Sequence, residues 1–223
     1  MKAKRILVIT LILILSATAA WGQDWRLQHL SQSKNGYLYR VSSELEDPGP
    51  REFGRYGGHN LFDQNPATCW AEGAGGPGLG EYVFVEVRPG ERNIHMMNGY
   101  HKSQALFEKN NRAKDLVLSM YVALFRPDQT TELFEGYDIS RYGAAKRVSL
   151  PDSMQPQVIP FPWDWNDIER FMDKAYDAKA KTRDLAFVPQ DVQKKYLLRL
   201  EIVDVYRGTK YNDTCISEVW MSR

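Results

Sequence analysis

Short apolar runs with a two-residue period dominate this sequence and limit the folds open to it. In EYVFVEV, residues 81–87, the three valines fall on one face and Tyr82, Phe84 and Glu86 on the other. A β-strand turns successive side chains to opposite faces, so this alternation predicts a half-buried strand. Similar runs occupy residues 37–43, 115–125, 146–150 and 196–206, and the chain ends in another at 215–221.

Turn-forming segments separate these runs. Glycine and proline cluster at residues 47–50, 73–80, 88–92 and 126–129, and no internal repeat is visible. Many short strands joined by such turns favour an all-β antiparallel sandwich over alternating strands and helices. The inward positions of the runs predict a buried core of Trp70, Val83, Val85, Leu116, Leu118, Leu198, Leu200 and Ile202.

One stretch, at about residues 163–181, departs from the strand pattern. Its apolar residues fall at helical spacing, and Asp164 or Asn166 could cap a helix there. Two interpretations stay open. The helix either packs on the rim of the sandwich as a crossover, or it presents Trp163 and Trp165 as part of a binding wall. The residues at helical spacing are Trp165, Ile168, Phe171, Met172 and Ala175.

The first 22 residues have the pattern of a signal peptide. A basic start is followed by an apolar run, Ile6–Leu15, that is too short to span a bilayer, and then by small residues. Cleavage after Ala19 or after Gly22 fits, and the polar sequence that begins at Gln23 favours the second. We therefore expect an exported protein, periplasmic or secreted, with one domain over 23–223 and no later transmembrane segment.

The net charge limits the classes of binding partner, and the cysteine count limits the possible disulfides to one. Without the leader the chain has 26 basic and 28 acidic residues, a net charge of −2, which gives no reason to expect nucleic acid or an anionic membrane. Cys69 and Cys215 are the two cysteines. Disulfides persist after export, so the two either pair or remain buried free thiols.

Motifs for catalysis are weak. The glycine-rich segment 73–80 lacks the Lys-Ser/Thr of a phosphate loop and precedes a strand, so we interpret it as a tight connection with positive φ angles. Glu44 and Glu46 form a Glu-x-Glu pair without any surrounding ADP-ribosyl-transfer framework. Asp63 and Glu218 could flank a glycosidic bond, which keeps a glycoside or NAD hydrolase as an alternative. We predict that the chain is not an enzyme.

Four segments in order resemble the NADase-type glycan-binding domain, a discoidin-like, galactose-binding-like jelly roll. The similarity covers about residues 55–126 and 196–223, and the family takes its name from a non-catalytic domain of a secreted bacterial NAD glycohydrolase toxin. The resemblance implies an antiparallel jelly-roll β-sandwich with one helical insertion. The segments are NLFDQNPATCW (60–70), EGAGGPGLGEYVFVEV (72–87), NGYHKSQALFEKNNRAKDLVL (98–118) and VYRGTKYNDTCISEVWM (205–221).

The first segment also resembles a loop of discoidin-like modules that often holds a structural calcium ion. Mapped onto this sequence, the ligands are Asp63, Asn65, Thr68 and Glu218, and Gln64 stands where such loops commonly have glycine. Calcium accepts these oxygen donors. The alternative is that Asp63 and Asn65 only cap a turn.

If the loop at Thr68 and the strand at Glu218 are neighbours, they carry Cys69 and Cys215 toward one another. We therefore expect Asp63 and Glu218 to be close and the two cysteines to form a disulfide.

The resemblance implies a secreted, non-catalytic module for a carbohydrate or cell-surface glycan. Loop segments with aromatic and polar side chains are the candidate sugar contacts, although each segment could instead serve a turn and Arg112 could pair with a loop carboxylate. A protein-interaction domain on the same fold is the first alternative. The candidate contacts are Tyr100, His101, Lys102, Asn110, Asn111, Arg112, Tyr211 and Asp213.

Overall fold

Ten strands and two α-helices make up the regular structure in the computed structural model, which describes residues 24–47, 54–181 and 194–223. The predicted signal peptide lies outside these residues. The strands are β1 (Arg26–Gln32), β2 (Leu38–Val41), β3 (Trp70–Ala71), β4 (Tyr82–Val87), β5 (Asn93–Asn98), β6 (Arg112–Arg126), β7 (Glu135–Ser149), β8 (Gln157–Pro160), β9 (Lys194–Tyr206) and β10 (Cys215–Ser222). The helices are α1 (Gln104–Lys109) and α2 (Trp165–Lys181).

The strands form two sheets in which every strand pair is antiparallel. Six strands follow the order β1-β2-β4-β9-β6-β7, and β7 pairs back onto β1, so this sheet closes into a ring. The second sheet has the order β3-β10-β5-β8. The predicted all-β antiparallel sandwich is confirmed, and the closure of one sheet into a ring is a feature that strand periodicity did not predict.

The main core lies between the two sheets. The inward residues of β4, β6 and β9 meet those of the smaller sheet, including Ile94, Met96 and Val219. All eight predicted core residues are at most 1 % exposed, so this prediction is confirmed. Burial of each large aliphatic side chain contributes about 1.5–3 kcal/mol, and the sum holds the two sheets together.

A second cluster fills the inside of the ring. Phe84 of β4, Ala123 of β6 and Leu197 of β9 lie on the strand faces opposite the main core. Because all six strands contribute, the ring buries both faces of strands that the sequence marked as half-buried. The other members are Leu30, Leu38, Tyr137 and Ile139.

Helix α2 packs against the main core through Ile168, Met172 and Ala175. Trp165 stacks on Phe161 at 4.9 Å between ring centroids, and its Nε1 donates to the Glu91 carbonyl at 2.7 Å. The two tryptophans proposed for a binding wall are therefore partly buried packing residues. No helix in the described residues is long and apolar enough to span a membrane.

The glycine-rich connection 73–80 behaves as the sequence predicts. Gly76, Gly78 and Gly80 have φ angles of 118°, 72° and 89°, which residues with a Cβ rarely adopt. Glu44, from the Glu-x-Glu pair, accepts the Gly58 backbone N–H at 2.8 Å and so stabilises the neighbouring loop.

Candidate functional site

The loop at Asp63 meets the last strand at Glu218, as predicted for residues 155 positions apart. The Asn65 backbone N–H donates to Asp63 Oδ1 at 2.9 Å and to Glu218 Oε1 at 2.6 Å. The Thr68 hydroxyl donates to Asp63 Oδ2 at 2.8 Å, and the two carboxyl groups hydrogen-bond to each other. The sequence resemblance thus located a real contact.

The environment of Glu218 favours its protonated form. Burial first, and then the hydrogen bond that the protonated Glu218 donates to Asp63, raise the pKa of Glu218 to about 8. Retaining glycosidases hold their carboxyl groups about 5–5.5 Å apart and inverting ones still farther. A directly hydrogen-bonded pair leaves no room for a glycosidic bond, so Asp63 and Glu218 do not form a hydrolase pair in this arrangement.

Two of the four predicted calcium ligands, Asp63 and Glu218, place carboxyl oxygens where they could bind the ion together. The pair could exchange the proton of Glu218 for a cation. By contrast, the Asn65 side-chain oxygen accepts the Ala67 N–H at 3.1 Å, and the Thr68 hydroxyl hydrogen goes to Asp63. Calcium takes about six to eight oxygens, and the described residues hold no group of three or more His, Cys, Asp or Glu side chains suited to a metal. Main-chain oxygens and water would have to complete the shell, and calcium stays a prediction.

The loop at Asp63 contains one residue in an unfavourable backbone conformation. Gln64 has a φ of 61° and is the one non-glycine residue with positive φ among those described. Such a conformation favours glycine, the residue common at this position of similar loops. The neighbouring hydrogen bonds to Asp63 and Glu218 hold Gln64 there.

Cys69 and Cys215 lie together in a buried cluster with Ala71 and Tyr100. Both are free thiols in the structure, and they are in hydrogen-bond contact. This contact, together with burial, raises the pKa of the Cys215 thiol well above its ordinary value. The proximity agrees with the expectation, and the disulfide itself stays a prediction.

The predicted sugar contacts lie on three segments, the β5–α1 loop, the α1–β6 connection and the β9–β10 loop, of which the last two pack side by side. The Tyr211 N–H donates to the Lys109 carbonyl at 2.8 Å, and the Asn111 N–H donates to the Asp213 carbonyl at 3.1 Å. Lys102 and Tyr211 are exposed, and His101 and Asp213 are half-buried. The other four, Tyr100, Asn110, Asn111 and Arg112, are at most 8 % exposed.

The buried members of this set support the loop. Arg112 makes a bidentate contact with Asp152 at 2.9 and 2.6 Å, and it also donates to the Phe107 and Asn110 carbonyls. Asn111 Oδ1 accepts the Gly208 N–H at 2.7 Å. The polar groups of Arg112 and Asn111 are thus engaged within the protein, and the ligand surface that we propose below includes none of the eight predicted contacts.

A groove of about 1020 Å³ lies at one end of the ring. Beyond Ile139, β7 has no β1 partner in the described residues, because β1 begins at Arg26 opposite Ile139. Phe84 and Ile139 of the inner cluster line the groove, and Phe171 and Lys174 of α2 lie along it.

Three aromatic rings form a continuous wall in this groove. The ring centroids of Tyr82 and Phe84 are 5.4 Å apart, and those of Phe84 and Tyr121 are 5.2 Å apart, both edge to face. The guanidinium carbon of Arg199 lies 4.2 Å from the centroid of the Tyr82 ring. Edge-to-face pairs and the cation–π contact fix the orientation of the wall.

Sequence reasoning missed this groove because its residues are scattered over five strands and a helix. The groove residues that lie on strands belong to the strand faces opposite the main core. In β4, for example, Tyr82 and Phe84 alternate with the buried valines. The aromatic face of residues 81–87 was the available signal. Only closure of the ring shows which such faces converge.

A smaller pocket of about 380 Å³ lies beside Glu218. Tyr37, Phe62 and Trp220 line it, and Trp220 stacks on His95 at 5.0 Å between ring centroids. Its lining is mainly apolar, so it offers few groups to orient a polar ligand.

The sequence model of the NAD glycohydrolase translocation F5/8 type C domain matches residues 37–138 and 166–222. This chain belongs to that family. The match includes residues 166–181 of α2, and the unmatched interval between its two parts is 139–165. It also includes the groove residues of β4, β6 and β9. A search of curated proteins finds no significant match.

Several solved structures resemble this F5/8 type C domain at low identity. The mycobacterial arabinofuranosyltransferase AftD (mutant R1389S) is 12 % identical with a TM-score of 0.41, over 87 % of this chain and 11 % of that one. A Ruminococcus gnavus GH29 fucosidase in complex with fucose is 11 % identical with a TM-score of 0.30, over 85 % and 25 %. The CBM32 of AlyQ, in complex with 4,5-unsaturated mannuronic acid, is 12 % identical with a TM-score of 0.30, over 82 % and 92 %.

Proposed function

We propose that this F5/8 type C domain is an exported, non-catalytic glycan-binding module. Membership of the family supports a binding role, and the signal-peptide pattern of residues 1–22 supports export to the periplasm or the medium. A fold does not fix a function, so the proposal depends on a site that suits a sugar.

The observation that carries the proposal is the aromatic wall of the groove. Sugar rings present flat C–H faces that pack on aromatic side chains, and their hydroxyl groups need fixed polar partners. Tyr82 and Tyr121 are half-buried and supply the faces, whereas Phe84 is 3 % exposed and supports the two rings from beneath, and Gln28 and Arg199 supply polar groups beside them. The groove exceeds the upper end of usual small-ligand pockets, about 300–1,000 Å³, so an oligosaccharide fits better than a single sugar.

The charge of the lining favours binding over hydrolysis. Among the described residues that line the groove, one carboxylate occurs, Asp24, and its Oδ2 accepts from Arg26 at 2.6 Å. Glycoside hydrolysis generally needs two carboxyl groups on either side of the scissile bond. We therefore propose binding without turnover.

The experiment is a glycan array with the purified protein, followed by calorimetric titration of the best oligosaccharide, each with calcium and with chelator. Tyr121→Ala removes one ring of the wall. The matched control is Tyr211→Ala, which removes the one exposed aromatic among the predicted loop contacts. We expect Tyr121→Ala to weaken binding by about tenfold or more, and Tyr211→Ala to leave it within about twofold.

Any of the remaining outcomes would contradict one part of the proposal. Loss of binding in Tyr211→Ala alone would place the site at the loop end, with His101 and Lys102. Absence of any glycan ligand, with both variants folded by circular dichroism, would refute the glycan proposal and leave the protein-interaction alternative. Release of reducing sugar would show an enzyme.

A further inference from the structure

We infer that the groove selects acidic glycans, with a carboxylate or sulfate group on the sugar held by the cations beside the aromatic wall. This inference rests on the proposed function and specifies the ligand class of the same site.

Four basic side chains line the groove against one acidic side chain. Arg26 pairs with Asp24, and Arg199 pairs with Glu201. Arg141 and Lys174 have no ion pair or hydrogen bond within the part of the chain that the structure describes. The basic residues come from β1, β7, α2 and β9, and therefore converge on the groove from several directions. They are Arg26, Arg141, Lys174 and Arg199.

This concentration of positive charge is local. The chain as a whole carries 29 basic and 28 acidic residues, so a random surface of this size should be nearly neutral. A cleft lined by one sign of charge focuses the field and raises the local concentration of oppositely charged ligands. The charge of the groove is thus a property of the site and not of a basic protein.

The cations have unequal roles. Arg199 is already positioned by Glu201 and by the face of Tyr82, so it can orient a sugar hydroxyl or a carboxylate beside the wall. Arg141 and Lys174 are exposed and unpaired among the described residues. They can therefore bind an acidic group without breaking an ion pair or hydrogen bond within the protein. A guanidinium binds carboxylate or sulfate through two parallel hydrogen bonds. We assign the discrimination between acidic and neutral sugars to Arg141 and Lys174.

The test compares matched ligands. One pair is a uronate oligosaccharide and its carboxyl-reduced neutral form, and a second is a sulfated oligosaccharide and its desulfated form. The double variant Arg141→Gln with Lys174→Gln is compared with Lys34→Gln with Lys146→Gln, which removes the same charge from exposed lysines outside the groove. Affinities are measured by titration at low and high salt.

We expect the groove variant to weaken binding of the acidic ligand by about tenfold or more, and the neutral ligand to change by less than about twofold. Salt should weaken acidic binding to the natural protein and to the control variant, and have little effect on the groove variant. The uronate and sulfate arms show which acidic group is preferred.

The outcomes separate this inference from the proposed function. Equal affinity of the natural protein for acidic and neutral forms, with loss of both in Tyr121→Ala, would refute acidic selection and keep the glycan proposal. No binding of any form would refute the proposed function. Binding of a single-stranded oligonucleotide as tightly as the acidic glycan would also overturn the inference, because it would show a general polyanion surface.

Discussion

Replacing Glu218 by glutamine should remove a pH dependence of stability that the burial of this carboxyl group and its contact with Asp63 create. The folded pKa of Glu218 is raised to about 8 from the usual 4.5. Below pH 4.5 the group is protonated in both the folded and unfolded states, so it imposes no penalty. As the pH rises from 4.5 to 8, the unfolded state loses this proton first, and the folded state becomes progressively less stable.

The magnitude follows from the two pKa values. A difference of about 3.5 at about 1.36 kcal/mol for each pH unit sets an upper limit of about 4.8 kcal/mol. Asp63 is exposed, and solvent screens its charge, so we expect roughly half of this limit, about 2 kcal/mol. For a chain of this size that corresponds to a melting temperature lower by about 4–8 °C at pH 8.5 than at pH 5.

Glutamine reproduces the hydrogen bonds of the protonated acid. Its amide nitrogen can donate to Asp63, and its oxygen can accept from the Asn65 N–H. Glu218→Gln should therefore match the natural protein at pH 5 and exceed its free energy of unfolding by about 2 kcal/mol at pH 8.5. The control is Glu132→Gln, at an exposed glutamate, which should leave the pH dependence unchanged.

The assay is thermal unfolding by circular dichroism from pH 5 to 8.5, in chelator so that no divalent cation replaces the proton. Parallel stability curves for the natural protein and Glu218→Gln would show that the pKa of Glu218 is not raised. Repeating the series with calcium tests the metal prediction. A rise in melting temperature at pH 8 for the natural protein alone is expected if the two carboxylates bind the ion.

Three further changes test other parts of the structure. Gly73→Ala should lower the free energy of unfolding by about 2–3 kcal/mol, since a Cβ there would lie 2.2 Å from the Glu44 carbonyl oxygen, and urea unfolding measures this. Arg112→Ala should lower it by about 3 kcal/mol while the folded fraction keeps its glycan affinity, because the buried guanidinium supports a loop. Under denaturing, non-reducing conditions, protein recovered after export should show no alkylated Cys69 or Cys215 by mass spectrometry, and alkylation of both would refute the disulfide.

Local pattern predicted the core and the strands β2, β4, β6, β9 and β10 with the end of β7, whereas β1, β5 and β8 were missed. Side chains alternate in every strand, so the positions of Val83 and Val85 in β4 and of Leu198 and Leu200 in β9 already marked which face is buried. Helix α2 followed from helical spacing in the same way. Short-range hydrogen bonding explains α1, where Ser103 accepts from the Leu106 N–H, a cap that the sequence analysis did not use.

The contact between Asp63 and Glu218 came from the resemblance and not from local pattern. Neither residue carries a signal that identifies a partner 155 positions away. Similarly, nothing local distinguishes Arg112, which is buried and paired, from an arginine that is free to bind a sugar. Burial depends on which loops pack together, and that is a tertiary property.

The sequence by itself determined the β-rich class of this protein and its core residues, because these depend on periodicity and composition, while export stays a prediction from the pattern of residues 1–22. Only the tertiary structure decided where a ligand would bind. The second face of each strand alternates with the core face in the sequence, and these faces form a groove only when β1 closes the six-stranded sheet against β7. That closure brings Tyr82, Tyr121 and Arg141 together through long-range strand pairing, which no run of neighbouring residues encodes.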